Sequence, residues 1–242
     1  MTHSPPFALF GHGHLTAIIL TVAIPLVLAV LARGARSEAF TRAIRWLFAA
    51  ELIATYILWY WIIFSNGWQS AQTLLPMWLC DWATITAIVT LIWPNQRTYE
   101  LAYFWALAGT LQAMITPDLR YDFPDLRFVV FFAFHGGVIA AVLFLTLGAR
   151  MRPYPASIAR VLAWSFIYLL AAGAVDWQFN ANFGYLRSKP PLGSLMDVLG
   201  PWPWYIASLA GLAIVFVLVL YLPFWIADRI RPPMSKAKFG AV

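Results

Sequence analysis

Leu74–Trp93 reads LLPMWLCDWATITAIVTLIW. A stretch of this length with one charged side chain can cross about 30 Å of hydrocarbon. It also holds the chain's only cysteine, Cys80, beside a carboxylate, Asp81, one turn after Pro76. Polar groups inside a membrane span are costly and are kept where they have a partner or a task. The stretch therefore predicts a membrane helix with chemistry near one end.

The rest of the chain has the same character. Of 242 residues, 62% are hydrophobic and 11% charged, against roughly 45–50% and about 25% in soluble domains. The expected fold is all-α, a single polytopic membrane domain over 1–242. Its predicted spans are His14–Ala32, Ile44–Phe64, Thr73–Trp93, Glu100–Thr116, Phe128–Gly148, Ile158–Phe179 and Trp204–Ile226. The fourth is the shortest and holds Gly109 and Gln112, where small residues let helices approach. Met1–Gly13 lacks the basic start and cleavage site of a signal peptide. The 180–203 connection is the longest, rich in Pro and Gly, and reads as a loop able to cap one face.

The net charge of +6 follows membrane topology rather than nucleic-acid binding. Twelve Lys and Arg fall in the connections and tail of one side, and four (Arg120, Arg127, Arg187, Lys189) on the other. Basic residues stay cytoplasmic. This predicts an outer amino terminus, seven spans, and a basic cytoplasmic tail at 229–242 lying on anionic lipid. The expected location is the cell (inner) membrane, with phospholipids as partners.

On that topology Cys80 lies seven residues inside the outer end of its span. His135 lies seven residues inside the outer end of the fifth. Both sit about 10 Å deep, at 1.5 Å per residue. Gln112, Asp176, Tyr56, Tyr60, His12 and His14 share the outer half, while Glu51 lies nearer the inner side. A thiol becomes a nucleophile when a base takes its proton, and His is that base in many enzymes. Cys80 as nucleophile and His135 as general base thus suit acyl transfer or ester cleavage. Asp81, Gln112 and Asp176 would support the pair, and amides freed near Pro76 could face the oxyanion. Arg127, Arg187 and Lys189 suit a lipid phosphate. The alternative is a non-catalytic lipid- or solute-binding protein, or a carrier, using the same outer cavity. His12 and His14 are two residues apart, not the one-face spacing of a helical metal site, so no metal is expected. No phosphate loop, dinucleotide fingerprint or serine-hydrolase elbow occurs, and no cofactor is expected.

Four strings carry a resemblance: LPMWLCD (75–81), YELAYFWALAGTLQAMITPDL (99–119), FPDLRFVVFFAFHGG (123–137) and YLRSKPPLGSLMDVLGPWPWY (185–205). Together they resemble the YwaF-like bacterial integral membrane proteins, relatives of animal transmembrane protein 164. The resemblance implies a seven-span fold and phospholipid acyl transfer through a cysteine and a histidine, with His135 at the histidine position. In the animal relative the cysteine directly follows the proline and a histidine comes next. Those positions are Met77 and Trp78 here, and Cys80 stands three residues further on.

Overall fold

The computed structural model describes residues 5–190 and 195–230. The tail beyond Ile230 lies outside them. Six helices are long and apolar enough to cross a membrane. Among the described residues, only an isolated bridge between Pro6 and Tyr121 is extended pairing.

Helix boundaries follow local capping chemistry. α1 (His12–Ala35) ends where Arg36 turns left-handed. α2 (Glu38–Ser65) starts at Ser37, whose side chain accepts the Phe40 N–H. A hydroxyl there satisfies one of the amides a helix start leaves open. α3 (Ala71–Leu74) and α4 (Leu79–Ile92) are separated at Pro76–Trp78. Asn95 caps α5 (Gln96–Trp105), which runs through a π-helical segment, Ala106–Thr110, into α6 (Leu111–Ile115). Asp125 caps α7 (Leu126–Leu147). α8 (Pro155–Phe179) opens on a proline, which loses no hydrogen bond there. α9 is Trp204–Ile230.

Two predicted spans therefore differ in form. The third is not one helix: Pro76 cannot donate to a continuing helix, so the chain breaks and restarts. The fourth begins earlier than predicted, at Gln96, and is interrupted by the π segment. The 180–203 connection holds short 3-10 turns at Phe183–Tyr185 and Leu195–Leu199.

α7 is the hub, packed against α1, α2, α4 and α6. Its apolar window is 61% buried, against 11–33% for the other five long helices. Small residues permit the approach. A Cβ on Gly136 would run into Thr21 of α1, and one on Gly137 would come 2.9 Å from Glu51 Oε1 of α2. Outward faces carry exposed large apolar residues such as Val30, Trp61, Phe166 and Leu170. In water that pattern would aggregate; in lipid it is the solvated face. We expect Gly136→Leu to push α1 from α7 and cost about 2 kcal/mol by overpacking, read as a lower melting temperature in detergent.

Polar contacts tie the two ends of the bundle separately. At one end, Phe7 N–H donates to Arg120 O at 3.0 Å and Asp122 N–H to Pro5 O at 2.8 Å. His14, with no exposure, closes that end. Its Nδ1 accepts the Phe10 N–H at 2.9 Å, so its Nε2–H donates to Met114 O at 2.7 Å. Phe7, Phe10 and Phe132 surround the ring. Both nitrogens are committed, so His14 is a structural residue. His14→Ala should cost about 3 kcal/mol, from lost packing and stranded backbone partners, and thermal unfolding measures it.

At the other end Glu100, also without exposure, accepts from Arg160 Nε at 2.7 Å, Arg160 Nη2 at 2.8 Å and Gln96 at 2.8 Å. Arg152 pairs with Asp228 at 2.6 Å. These pairs join α5 to α8 and the α7–α8 turn to α9.

Candidate functional site

The break at Pro76–Trp78 makes a helix start inside the bundle. Its backbone is held from three directions. Tyr60 Oη donates to Leu74 O at 2.8 Å, and Tyr168 Oη donates to Met77 O at 3.1 Å. The Trp78 N–H donates to Asp81 Oδ2 at 2.9 Å. Met77 and Trp78 thus belong to the break itself, and Cys80 to the first turn of α4.

In that first turn the Asp81 N–H donates to Trp78 O at 3.0 Å, and among the described residues the Cys80 N–H has no hydrogen-bond partner. Such an amide, with the positive end of the helix dipole, favours negative charge. Cys80 is half-buried. Tyr56, Tyr168 and Tyr185 stand within electrostatic range of it. Burial pushes the Tyr185 phenol above its ordinary range, so it stays a neutral donor.

His135 projects from α7, also half-buried. Its Nδ1 lies 2.9 Å from Phe131 O. A carbonyl cannot donate, so Nδ1 carries the proton in this bond. In the neutral ring Nε2 is then a bare lone pair. Among the described residues no hydrogen bond occupies it.

Neighbouring contacts fix where the two side chains face. Successive helix residues turn by about 100°. On α4, Asp81 turns to α2, where Tyr56 donates to Oδ1 at 2.6 Å. Leu79, on the opposite flank, turns to Gly109 of the π segment, where an added Cβ would lie 2.9 Å from Leu79. Cys80 points between these directions. On α7, Phe134 turns to the same Tyr56, edge-on at 5.3 Å between rings. Gly136 turns toward Thr21 of α1, with Met114 of α6 beside it. His135 points between those directions. The helices that carry Cys80 and His135, α4 and α7, pack on one another, and both border α2 and the π segment. Tyr56 touches a neighbour of each residue, Asp81 and Phe134. Among the described residues Cys80 and His135 share no direct hydrogen bond.

The other expected site residues are dispersed. Asp81 does not hold the imidazole, because Tyr56 and Trp78 take its oxygens. The Gln112 side chain makes no hydrogen bond among the described residues. Asp176, 1% exposed, accepts the Phe183 N–H at 2.7 Å through Oδ1, while its buried Oδ2 has no partner there. Arg127 is clamped to Asp125 at 2.7 Å and lies over Tyr121. Arg187 Nη1 donates to Asn180 at 2.5 Å. Lys189 stands over the Tyr205 ring. Glu51 faces Gly137 and is supplied only by Thr55, at 3.2 Å, among the described residues. No cluster of metal-binding side chains occurs among the described residues.

The sequence pattern hides the roof of this site. Phe183, fully buried, and Tyr185 pack on Trp78 at 5.5 and 5.3 Å between rings. Tyr205 Oη donates to Tyr185 O, and Trp202 Nε1 to Leu186 O at 3.1 Å. Asn182 N–H donates to Gln72 at 2.7 Å. Phe183 and Tyr185 thus cover the helix break. Tyr168 escaped notice because an aromatic mid-helix reads as lipid-facing; only its contact with Met77 O reveals it.

Comparison with known proteins adds an identity but no activity. The sequence pattern of the TMEM164 family matches residues 9–221. An uncharacterized protein of Treponema pallidum (strain Nichols) is 32% identical over 161 residues, 66% of this chain. The chain's match spans 65% of that relative's length. No solved structure matches. With the family pattern running from the first turn of α1's approach to Tyr221, the chain belongs to the TMEM164 family.

Proposed function

We propose that this protein is a membrane-embedded lipid acyltransferase or transacylase using Cys80 and His135. The observation that carries the reading is the packing of α4, which bears Cys80, on α7, which bears His135. The reading sets a thiol at a helix start against an imidazole with a bare Nε2 on the neighbouring helix. The resemblance to YwaF-like proteins and to animal transmembrane protein 164 supports the same reaction class.

Each step balances on this chain's own atoms. His135 Nε2 takes the Cys80 proton, and the sulfur adds to the ester carbonyl carbon of a phospholipid. The oxygen gains negative charge, and the Cys80 N–H at the start of α4 is the donor proposed to stabilise it. The C–O bond breaks, the leaving alkoxide takes the proton from His135, and an acyl thioester remains. An acceptor hydroxyl then gives its proton to His135 and attacks the thioester. Acyl ester forms, and the sulfur recovers its proton from His135. Tyr56 and Asp81 hold the helix start.

The topology belongs to the same reading. The α5–π–α6 pass joins the six long helices as a seventh span, putting the amino terminus outside and the basic tail in the cytoplasm. Two observations support it: Pro5–Phe7 pairs with the 120–122 turn at one end, and Asp228 meets Arg152 at the other. The membrane is the cell (inner) membrane, and the site opens to its outer half. The test is acyl exchange between a diacyl phospholipid and a lysophospholipid in vesicles holding the purified protein, followed by lipid mass spectrometry. Exchange above protein-free vesicles is expected; none with any donor–acceptor pair would reject the enzyme reading.

A further inference from the structure

A second polar place lies above the Cys80 region, at the outer end of α8. Gly173, Asp176, Trp177, Leu186 and Arg187 line a cavity of about 250 Å³. That is smaller than drug-sized pockets and suits a compact polar group. Asp176 is 1% exposed, and its Oδ2 is buried without a hydrogen-bond partner among the described residues. Leaving such an oxygen unpaired costs free energy that an incoming donor recovers. Arg187 stands close enough to act on the Asp176 charge. Yet the two side chains form no salt bridge among the described residues. The guanidinium instead spends Nη1 on Asn180 Oδ1 and on the carbonyls of Asp176 and Ala181, at 2.5, 3.5 and 3.4 Å. Its Nε and Nη2 edge carries no bond there, and a guanidinium edge is a bidentate anion binder.

We infer that this cavity binds a phosphate whose attached alcohol carries an N–H or O–H donor, with Arg187 on the phosphate and Asp176 on the donor. The chemistry selects against a trimethylated ammonium, which has charge but no donor to give Asp176. Tyr168 lies within electrostatic range of Asp176 and of Cys80, so the cavity adjoins the proposed acyl site. A lipid held by its headgroup here could present an ester below. The inference rests on the lipid reading for that orientation, while its test needs no turnover.

The test is equilibrium binding to the full chain in detergent. The probes are lysophosphatidylglycerol, lysophosphatidylethanolamine and lysophosphatidylcholine of one chain length, with glycerol 3-phosphate and phosphoethanolamine as soluble arms. The two donor-bearing lysolipids should bind about tenfold tighter than the choline lipid, the discrimination of one hydrogen bond to a charged group. Asp176→Asn keeps an oxygen for Phe183 and should bring the ratio near one. Arg187→Gln should weaken all three lysolipids alike. Gly173→Leu, which fills the cavity without touching either charge, should weaken the donor-bearing lipids and serves if Asp176→Asn does not fold. Soluble phosphates binding as tightly as lysolipids would make the ligand a free phosphate ester; much weaker binding would make it a lipid headgroup. Equal binding of choline and donor-bearing headgroups to the unaltered protein, or a preference untouched by Asp176→Asn and Gly173→Leu, overturns the inference. Failure here, with acyl exchange intact, leaves the Cys80–His135 reading standing.

Discussion

His135→Ala should lower the acyl-exchange rate by on the order of 10⁴ while the protein stays folded, and Cys80→Ser should lower it at least as far. Triad-type enzymes lose rates of this order when nucleophile or base is removed, and the two losses do not add. The double variant should therefore be no slower than the worse single one. His135 donates through Nδ1 only to its own helix, to Phe131 O. The alanine variant thus strands no partner on another helix, and its melting temperature should move little. His14→Ala is the control for position. It removes an imidazole committed at both nitrogens, so it should lower stability and leave the rate per folded molecule nearly unchanged. Rates falling equally in the His14 and His135 variants would mean both act through the fold.

The second large effect is at the opposite end of the bundle. Arg160→Leu leaves the Glu100 carboxylate, unexposed between α5 and α8, without its only cationic partner among the described residues. A stranded buried charge is far costlier than a missing pair. The melting temperature in detergent should fall by roughly 10 °C or more. Arg127→Leu should do much less, because Asp125 keeps a hydrogen bond from the backbone N–H of residue 127 at 2.9 Å and joins only residues of one turn. The double change Glu100→Leu with Arg160→Leu should recover most of the loss, since two apolar side chains replace the pair without orphaning either member. A double variant as unstable as Arg160→Leu would show that Glu100 does more than pair. The Arg152–Asp228 bridge, at 31% and 33% side-chain exposure, should matter less than the Glu100 pair.

The helical membrane fold was legible because its signal is composition over long windows, which tertiary packing cannot reverse. Counting from span ends set Cys80 and His135 in one layer; in the structure their helices pack together, and Tyr56 touches a neighbour of each. Facing was not legible. Which way Asp81 turned depended on Tyr56, 25 residues earlier, and no local pattern encodes that choice. The Glu100–Arg160 pair was hidden for a similar reason. Arg160 read as a cytoplasmic anchor, and only the packing of α8 on α5 brings it to Glu100. The break at Pro76 was half visible: proline marked it, but three tyrosine and aspartate contacts from other turns hold it open. Gly109 likewise suggested close approach, and the π segment that delivers it to Leu79 needed coordinates.

The most direct test is the intact-protein mass after brief exposure to a diacyl phospholipid, followed by peptide mapping. A thioester-linked acyl group on Cys80, released by neutral hydroxylamine and missing in His135→Ala, is the predicted result. Acyl exchange that proceeds in Cys80→Ser, or an acyl group carried elsewhere on the chain, would contradict the account.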